Sequence, residues 1–283
     1  MALAKTEFIP TTNQACGFQN NKKNNMSTFL FDKIIFGPVK SRRLGISLGI
    51  NLLPTNAKVC SFNCVYCECG FNFAPEDAHI PTRDEVKADL IATLSEMKAN
   101  HEPLDVITFA GNGEPTLHKD FAGIIDDTLA ARDEFFPNVK ISVLSNSTQI
   151  DKPKVFAALN KVDNNILKLD SAFDETIRLL NQPGSKALTA AWLIDHLTKF
   201  EGNVIIQTLF LHGMVDGKAI DNTTSVEIAA WLKALEIIKP KQVMIYTLDR
   251  DTPTNTLQKA THEQLAAIAK QVETLGFSAL ISD

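Results

Sequence analysis

The feature that most restricts the fold is a rhythm in which short, apolar, β-branched runs alternate with longer segments of helical period. The runs are ISLGINLL (46–53), DVITFA (105–110), VKISVLS (139–145), NILKLD (165–170), NVIIQTLFL (203–211) and KQVMIYTL (241–248). Several are apolar almost throughout, as strands covered on both faces should be. Strands that alternate with helices run parallel, because each return to the sheet takes a crossover. Helices are expected over 84–99, 119–133, 151–160, 187–200 and 225–238, with a last one after Thr261. Thr82 with Glu85, Thr224 with Glu227 and Thr261 with Gln264 have capping-box spacing. In the last helix Leu265, Ile268, Val272 and Leu275 form one stripe, and Gly276 suits the left-handed residue that ends it. Trp192 and Trp231 fall on similar stripes and read as core. Six βα units make an α/β fold with parallel strands, an open or partial (β/α)6 barrel of roughly 200–230 residues, shorter than the eight-stranded form. Residues 29–283 read as one core domain without a linker, and residues 1–28 as a polar, disordered N-terminal tail.

Parallel α/β folds place ligands beyond the C-terminal ends of their strands. In strand order the segments there are the cysteine loop, GNGEPT, SNST, DS, HG and DRDT, so polar and Gly-rich groups converge on one rim. Four of the five cysteines, Cys60, Cys64, Cys67 and Cys69, fall within ten positions, and Cys16 stands far upstream. Such crowding points to metal or redox chemistry rather than a disulfide framework. Cys60, Cys64 and Cys67 are spaced C-x3-C-x2-C in CSFNCVYCECG. Three thiolates would leave one iron of a 4Fe-4S cube open to substrate or cofactor. The competing metal is a structural zinc on all four thiolates. Zinc ribbons use two separated C-x2-C knuckles, and Cys69 alone makes a poor second one. Cys69 is therefore read as a neighbour of the cluster, with a redox role as the alternative.

The cysteine spacing, with Tyr66 directly before the third cysteine and Gly111-Asn112-Gly113-Glu114 after the second strand, resembles the radical SAM superfamily. The resemblance implies one 4Fe-4S cluster whose open iron binds the methionine portion of S-adenosylmethionine (SAM). Reductive cleavage then gives methionine and a 5′-deoxyadenosyl radical that abstracts hydrogen from substrate. It implies that Tyr66 packs near adenine and that Gly113 and Glu114 hold SAM's ammonium, with Asn112 standing where the superfamily usually has glycine. Asn146 and Asp170, at the ends of the third and fourth strands, take the positions of its carboxylate and ribose contacts. Each has a plainer reading as well: a strand-to-helix turn for Gly113 and Glu114, core packing for Tyr66, local caps for Asn146 and Asp170. No catalytic residue is assigned. The segments FGPVKSRRLGISLGINLLP, GNGEPTLH, IQTLFLHG and IYTLDRDTP resemble, over most of residues 30–283, small radical SAM proteins related to the wyosine-base synthases that modify tRNA. Those synthases carry a further N-terminal cysteine set, and only Cys16 lies upstream here. A reduced flavodoxin or ferredoxin is the electron donor that the family implies.

The formal net charge is -5, so no global positive field draws a polyanion such as tRNA. Lys40, Arg42 and Arg43 in VKSRRLG form the one tight basic cluster, either a solvated turn or an anion site. Tyr246, Asp249 and Arg250 read as lining a substrate cavity, the alternative being a salt-bridged loop. His118 and His212 read as structural. No apolar run approaches the ~20 residues that span a bilayer, and no secretory signal opens the chain. The expectation is a cytoplasmic radical SAM enzyme without a membrane partner, acting on an unidentified small-molecule or RNA substrate. The alternatives are wyosine-type tRNA-base modification and a zinc-stabilised nucleic-acid-binding module.

Overall fold

The computed structural model describes residues 29–283; the expected tail over 1–28, with Cys16, lies outside the described residues. The strands are β1 (Ile35–Ser41), β2 (Gly45–Ile50), β3 (Val106–Phe109), β4 (Lys140–Ser145), β5 (Asn164–Lys168), β6 (Ile205–Leu209), β7 (Leu211–Val215), β8 (Lys218–Asp221), β9 (Gln242–Tyr246), β10 (Leu257–Lys259) and β11 (Ala279–Ser282). The helices are α1 (Arg83–Ala99), α2 (Phe121–Phe135), α3 (Pro153–Leu159), α4 (Asp174–Leu180), α5 (Ala190–Thr198), α6 (Ser225–Ile238) and α7 (His262–Thr274). The main sheet has eight strands in the order β1-β2-β3-β4-β5-β6-β9-β11. Only β1 runs antiparallel, as the first arm of a hairpin with β2; each later pairing is parallel. The sheet curls into a half-barrel. Successive helices pack side by side over it, α1 on α2, α2 on α3, α5 on α6 and α6 on α7.

All six expected strands form, because their apolar residues bury as anticipated; the four residues of β3 are all buried. The departures have local causes. The run 203–211 splits at Phe210, and the buried amide of Asn222 takes over where the strand leaves the sheet. Its Oδ1 accepts from Leu211 N at 2.9 Å, and its Nδ2 donates to Leu209 O and Asp170 O at 2.7 and 3.0 Å. The HG segment is thus not a rim loop but part of β7, in a small sheet ordered β10-β7-β8. Strand β1 leaves no apolar run in the sequence because most of its residues are exposed, and β11 and α4 are too short to display a period.

The capping boxes of α1 and α7 close in both directions. That of α6 is half made. Thr224 accepts from Glu227 N at 3.3 Å, but the Glu227 carboxylate turns instead to Ser171 and Thr176, tying α6 to the segment beginning α4. Gly276, at φ +88°, ends α7, with Phe277 N bonded to Val272 O. Trp231 is core, its Nε1 donating to Thr208 Oγ1, whereas Trp192 is half-buried and stacks on His196. Among the described residues no helix is long and apolar enough to cross a membrane.

The basic cluster of the sequence closes the half-barrel. The β1–β2 turn reaches from one edge of the sheet to the other: Arg42 pairs with Asp249 at 3.2 Å and donates to Asp283 O at 3.1 Å. The Arg43 guanidinium lies over the Tyr246 ring at 4.8 Å. Leu44 packs inside the barrel on Ile166, Ile205 and Met244. The hairpin is set by Gly49, whose missing side chain leaves room for the Phe36 ring, itself stacked on Phe31 at 3.9 Å. A Cβ at Gly49 would lie 2.1 Å from Phe36 Cζ. Gly49→Ala should therefore lower stability by about 1–3 kcal/mol, read as a lower urea midpoint at unchanged m-value. A wild-type midpoint would show that Phe36 does not hold the hairpin.

Candidate cofactor site

The cysteine loop follows β2 and is closed at its base, where Lys58 and Phe73 exchange backbone hydrogen bonds of 2.9 and 3.1 Å. A loop turned into the protein must satisfy its backbone elsewhere, and neighbouring elements do so. Val59 N donates to Asn112 O and Glu114 N to Val59 O, joining the loop to the end of β3. Asn63 N and Val65 N donate to Asn181 O and Leu180 O, carbonyls that the end of α4 leaves without helical partners. Asn72 Nδ2 bridges Cys60 O and Phe62 O, both at 2.9 Å. Gly113 is required by this join: at φ +142°, a Cβ there would sit 1.8 Å from Val59 O. Its close approach is thus to the cysteine loop's own backbone.

Glu114 is buried at the end of β3. Its Oε1 accepts from Thr116 N (3.1 Å), Thr116 Oγ1 and Ser145 Oγ (2.8 Å), and its Oε2 from Asn146 N (2.6 Å). Burial pushes its pKa up against the pull of these donors. Asn146 carries the network on to the thiols: its Nδ2 lies 3.4 Å from Cys60 Sγ and 2.9 Å from Ser61 Oγ, while its Oδ1 caps the following turn at Thr148 N.

Tyr66 is held from below. Its hydroxyl donates to Asp170 Oδ2, and Asn181 Nδ2 lies 2.7 Å from both groups and 3.6 Å from Cys64 Sγ. Asp170 also accepts from Leu209 N at 2.9 Å and lies 3.6 Å from Lys168 Nζ. Burial and the neighbouring Asp170 raise the Tyr66 pKa well above its ordinary value. For Lys168, burial pulls the pKa down, but Asp170, Tyr246 and Cys64 outweigh it and hold the pKa above that of an ordinary lysine. Its Nζ donates to Tyr246 Oη at 2.7 Å.

These groups meet at one cavity of about 310 Å³, at the small end of ligand pockets. Cys60, Cys64, Cys67, Tyr66, Gly113, Glu114 and Asn146 all line it; Asp170 does not, lying beneath the wall as a support for Tyr66. Tyr246, Asp249 and Arg250 line it as expected, and Asp249 and Arg250 are at the same time salt-bridged, to Arg42 and Glu68. His118 and His212 do not line it: His118 bridges Pro81 O and Asp120 N, and His212 faces Gln258. Lys58 and Lys168 also line the cavity, and Asn181 supports it from beneath, though none is expected there from the sequence. The two lysines had a signal, a cation at the edge of an apolar run; Asn181, in LLNQPG, looks like any helix end.

The four thiols of the loop are free. Burial pushes Cys60 up to about 12, with Glu114 and Cys64 adding to it, and Cys64 up to about 11. Hydrogen bonding from Cys69 lowers Cys67, aided by Lys58, and correspondingly raises Cys69. Among the described residues no three or more His, Cys, Asp or Glu side chains are already arranged around the position of a single metal ion. An iron-sulfur cube is wider than an ion and needs thiols spread around a wall, with donors aimed at sulfur. The amides beside Cys60 and Cys64 and the buried Lys58, whose Nζ caps Gly70 O, fit that requirement.

A family model described as the Radical SAM superfamily matches residues 57–223. A UPF0026 protein of Helicobacter pylori is 32% identical over 224 residues, covering 77% of this chain and 67% of its own length. A protein of Brachyspira hyodysenteriae named GTPase Obg is 30% identical over 260 residues and 90% of this chain, which spans 35% of that relative's length. Among solved structures, a radical SAM methyltransferase from Sphaerobacter thermophilus is similar with a TM-score of 0.62 at 16% identity, over 91% of this chain and 69% of its own. TYW1 with a lysine-pyruvate adduct bound is similar with a TM-score of 0.55 at 15% identity, over 82% and 74%. At such identities the structural likeness is one of fold.

The join between Gly113 and Val59 can be tested against a second glycine of the same neighbourhood. Gly113→Ala should cost on the order of 3 kcal/mol and reduce the iron retained after reconstitution. Gly184→Ala, whose Cβ would meet Ser61 O at an ordinary 3.4 Å, should stay within about 0.5 kcal/mol of wild type. Equal stability of the two variants in urea would mean that the loop is not anchored at Val59.

Proposed function

Because this chain belongs to the radical SAM superfamily, we propose that it cleaves SAM reductively at a 4Fe-4S cluster held by Cys60, Cys64 and Cys67, and that the radical produced abstracts hydrogen from a substrate in the same cavity. The observation that carries this reading is the placement of the three thiols on one cavity wall, with side-chain amides donated to two of the sulfurs. The chemistry a bound cluster supplies is one-electron cleavage of SAM's C5′–S bond to methionine and a 5′-deoxyadenosyl radical.

The remaining work falls to the chain. Among the described residues Glu114 Oε2 accepts a single hydrogen bond, so in this reading its remaining lone pair receives SAM's ammonium. Tyr66, its hydroxyl tied to Asp170, offers a ring that cannot swing, suited to packing on adenine. Asn146 orients the loop through Ser61 while facing the cofactor, and Asp170 acts through Tyr66. Phe29, Phe31, Leu144, Leu209 and Leu248 on the cavity wall exclude water from a radical that would otherwise be quenched. Residues 29–283 act as one catalytic domain, reduced by a flavodoxin or ferredoxin in the cytoplasm. Wyosine-type modification of tRNA is the weaker reading, since a net charge of -5 gives no attraction for a polyanion.

Anaerobic reconstitution should load about four irons and four sulfides per chain, and SAM with dithionite should then yield 5′-deoxyadenosine. Cys60→Ala, Cys64→Ala and Cys67→Ala should each abolish that product, whereas Cys69→Ala should keep its iron. Zinc bound without sulfide, or iron lost from Cys69→Ala as fully as from Cys64→Ala, would defeat the proposal.

A further inference from the structure

The charges around the cavity are paired off, with one exception. Arg42 meets Asp249, Arg250 meets Glu68, Lys58 caps a carbonyl, and Glu114 is held by its donors. Arg43 forms no ion pair and no side-chain hydrogen bond among the described residues. Its Nη1 is shielded from solvent and has no partner, although its guanidinium lines the cavity and stacks on Tyr246. A guanidinium keeps its charge at any working pH, and a buried donor without a partner is uncommon enough to require an explanation. Across the same tyrosine stands a second cation: Lys168 Nζ lies 5.3 Å from the Tyr246 centroid and spends one N–H on its hydroxyl. Gln207, buried on β6, also lines this part of the cavity and makes no side-chain hydrogen bond among the described residues. The cluster thiols follow β2, whereas Tyr246 ends β9 near the other edge of the sheet. Lys168 Nζ also lies 5.1 Å from the Tyr66 ring centroid and 3.6 Å from Asp170 Oδ2, so the two cations flank Tyr246 between that ring and the β1–β2 strap.

We propose that Arg43, Lys168 and Gln207 form an oxyanion site around Tyr246, and that the substrate is a small molecule bound there through a carboxylate or phosphate. This rests on the radical SAM reading for its chemistry. A planar fork matches two oxygens of such a group, an ammonium adds a point charge, and a neutral amide completes the set. Anchoring the anion at Tyr246 leaves the rest of a small substrate to extend toward the cofactor. The strap that carries Arg43 also closes the barrel, so the cavity reaches its full charge only when the β1–β2 hairpin is in place.

The test is calorimetric titration of the cluster-reconstituted protein, in chloride buffer of fixed ionic strength, with inorganic phosphate in one arm and acetate in the other. Each arm is run with and without saturating S-adenosylhomocysteine, which carries the cofactor's own carboxylate. Expected is one saturable site per chain for at least one anion, retained with S-adenosylhomocysteine bound. Arg43→Gln should weaken it at least tenfold, Arg43→Lys less, and Gln207→Leu, which leaves the hairpin untouched, by several-fold. The tighter arm identifies the substrate's group. Absence of saturable binding in both arms would overturn the proposal, as would displacement by S-adenosylhomocysteine, which would assign the cations to the cofactor. Wild-type affinity in folded Arg43→Gln and Gln207→Leu would mean an adventitious ion only. The two readings fail separately: protein that forms 5′-deoxyadenosine but binds neither anion refutes the substrate site alone, and protein that binds an anion but forms none refutes the SAM chemistry alone.

Discussion

A loop that carries thiols into a protein interior brings its peptide groups with it, and each buried N–H and C=O has to find a partner. Here the partners are backbone groups of other elements: the end of β3 through Val59 and Gly113, and the end of α4 through Leu180 and Asn181. Both sets would go unpaired without the loop, since the last carbonyls of a helix have no helical donors. The loop and the barrel rim are thus mutually required. Residues 58–73 are held by bonds from the protein itself, and a site so held loses little freedom on loading.

The second constraint is charge. The rim buries carboxylates, lysines and thiols close together, and each unpaired charge in such a place is costly. Glu114 is satisfied by neutral donors from β4 and the turn after β3, Asp170 by Tyr66, Asn181 and a β6 amide. Asp170 in turn holds Lys168 protonated despite its burial. These bonds run from one strand end to the next, so the network sets the spacing of strand ends as much as it stabilises any one of them.

The half-barrel leaves an open side, and this chain closes it with its first hairpin. Arg42, Arg43 and Leu44 reach the β9 and β11 edge by three different contacts: a salt bridge, a cation-aromatic stack and an apolar insertion. The exposed salt bridge contributes little by itself; burial of Leu44 against the barrel interior is the larger share. The strap turns an open sheet into a walled cavity and brings the Arg43 guanidinium, unpaired among the described residues, to its wall.

The strands, most of the helices and the cysteine spacing could be read from the sequence because each is a local pattern: a period in apolar residues, a cap three residues before its partner, thiols at fixed offsets. Gly113, Glu114, Asn146 and Tyr66 were reachable for the same reason, as they sit in segments that follow strand ends, whose rim position comes from the parallel topology. Asp170 does not line the cavity, and a strand end does not reveal whether its side chain faces the cavity or lies beneath the wall. Capping at Thr224 was half right, since Glu227 has a better offer from Ser171 and Thr176, which are distant in sequence. Lys168 and Asn181 acquire meaning only from Tyr66, Asp170 and Tyr246, and Arg43 only from the aromatic ring it meets across the barrel. Local pattern therefore determined the fold class and the superfamily. Tertiary structure alone decided which charges are paired and which is left facing the cavity, because pairing depends on distances between strand ends that no local stretch of sequence encodes.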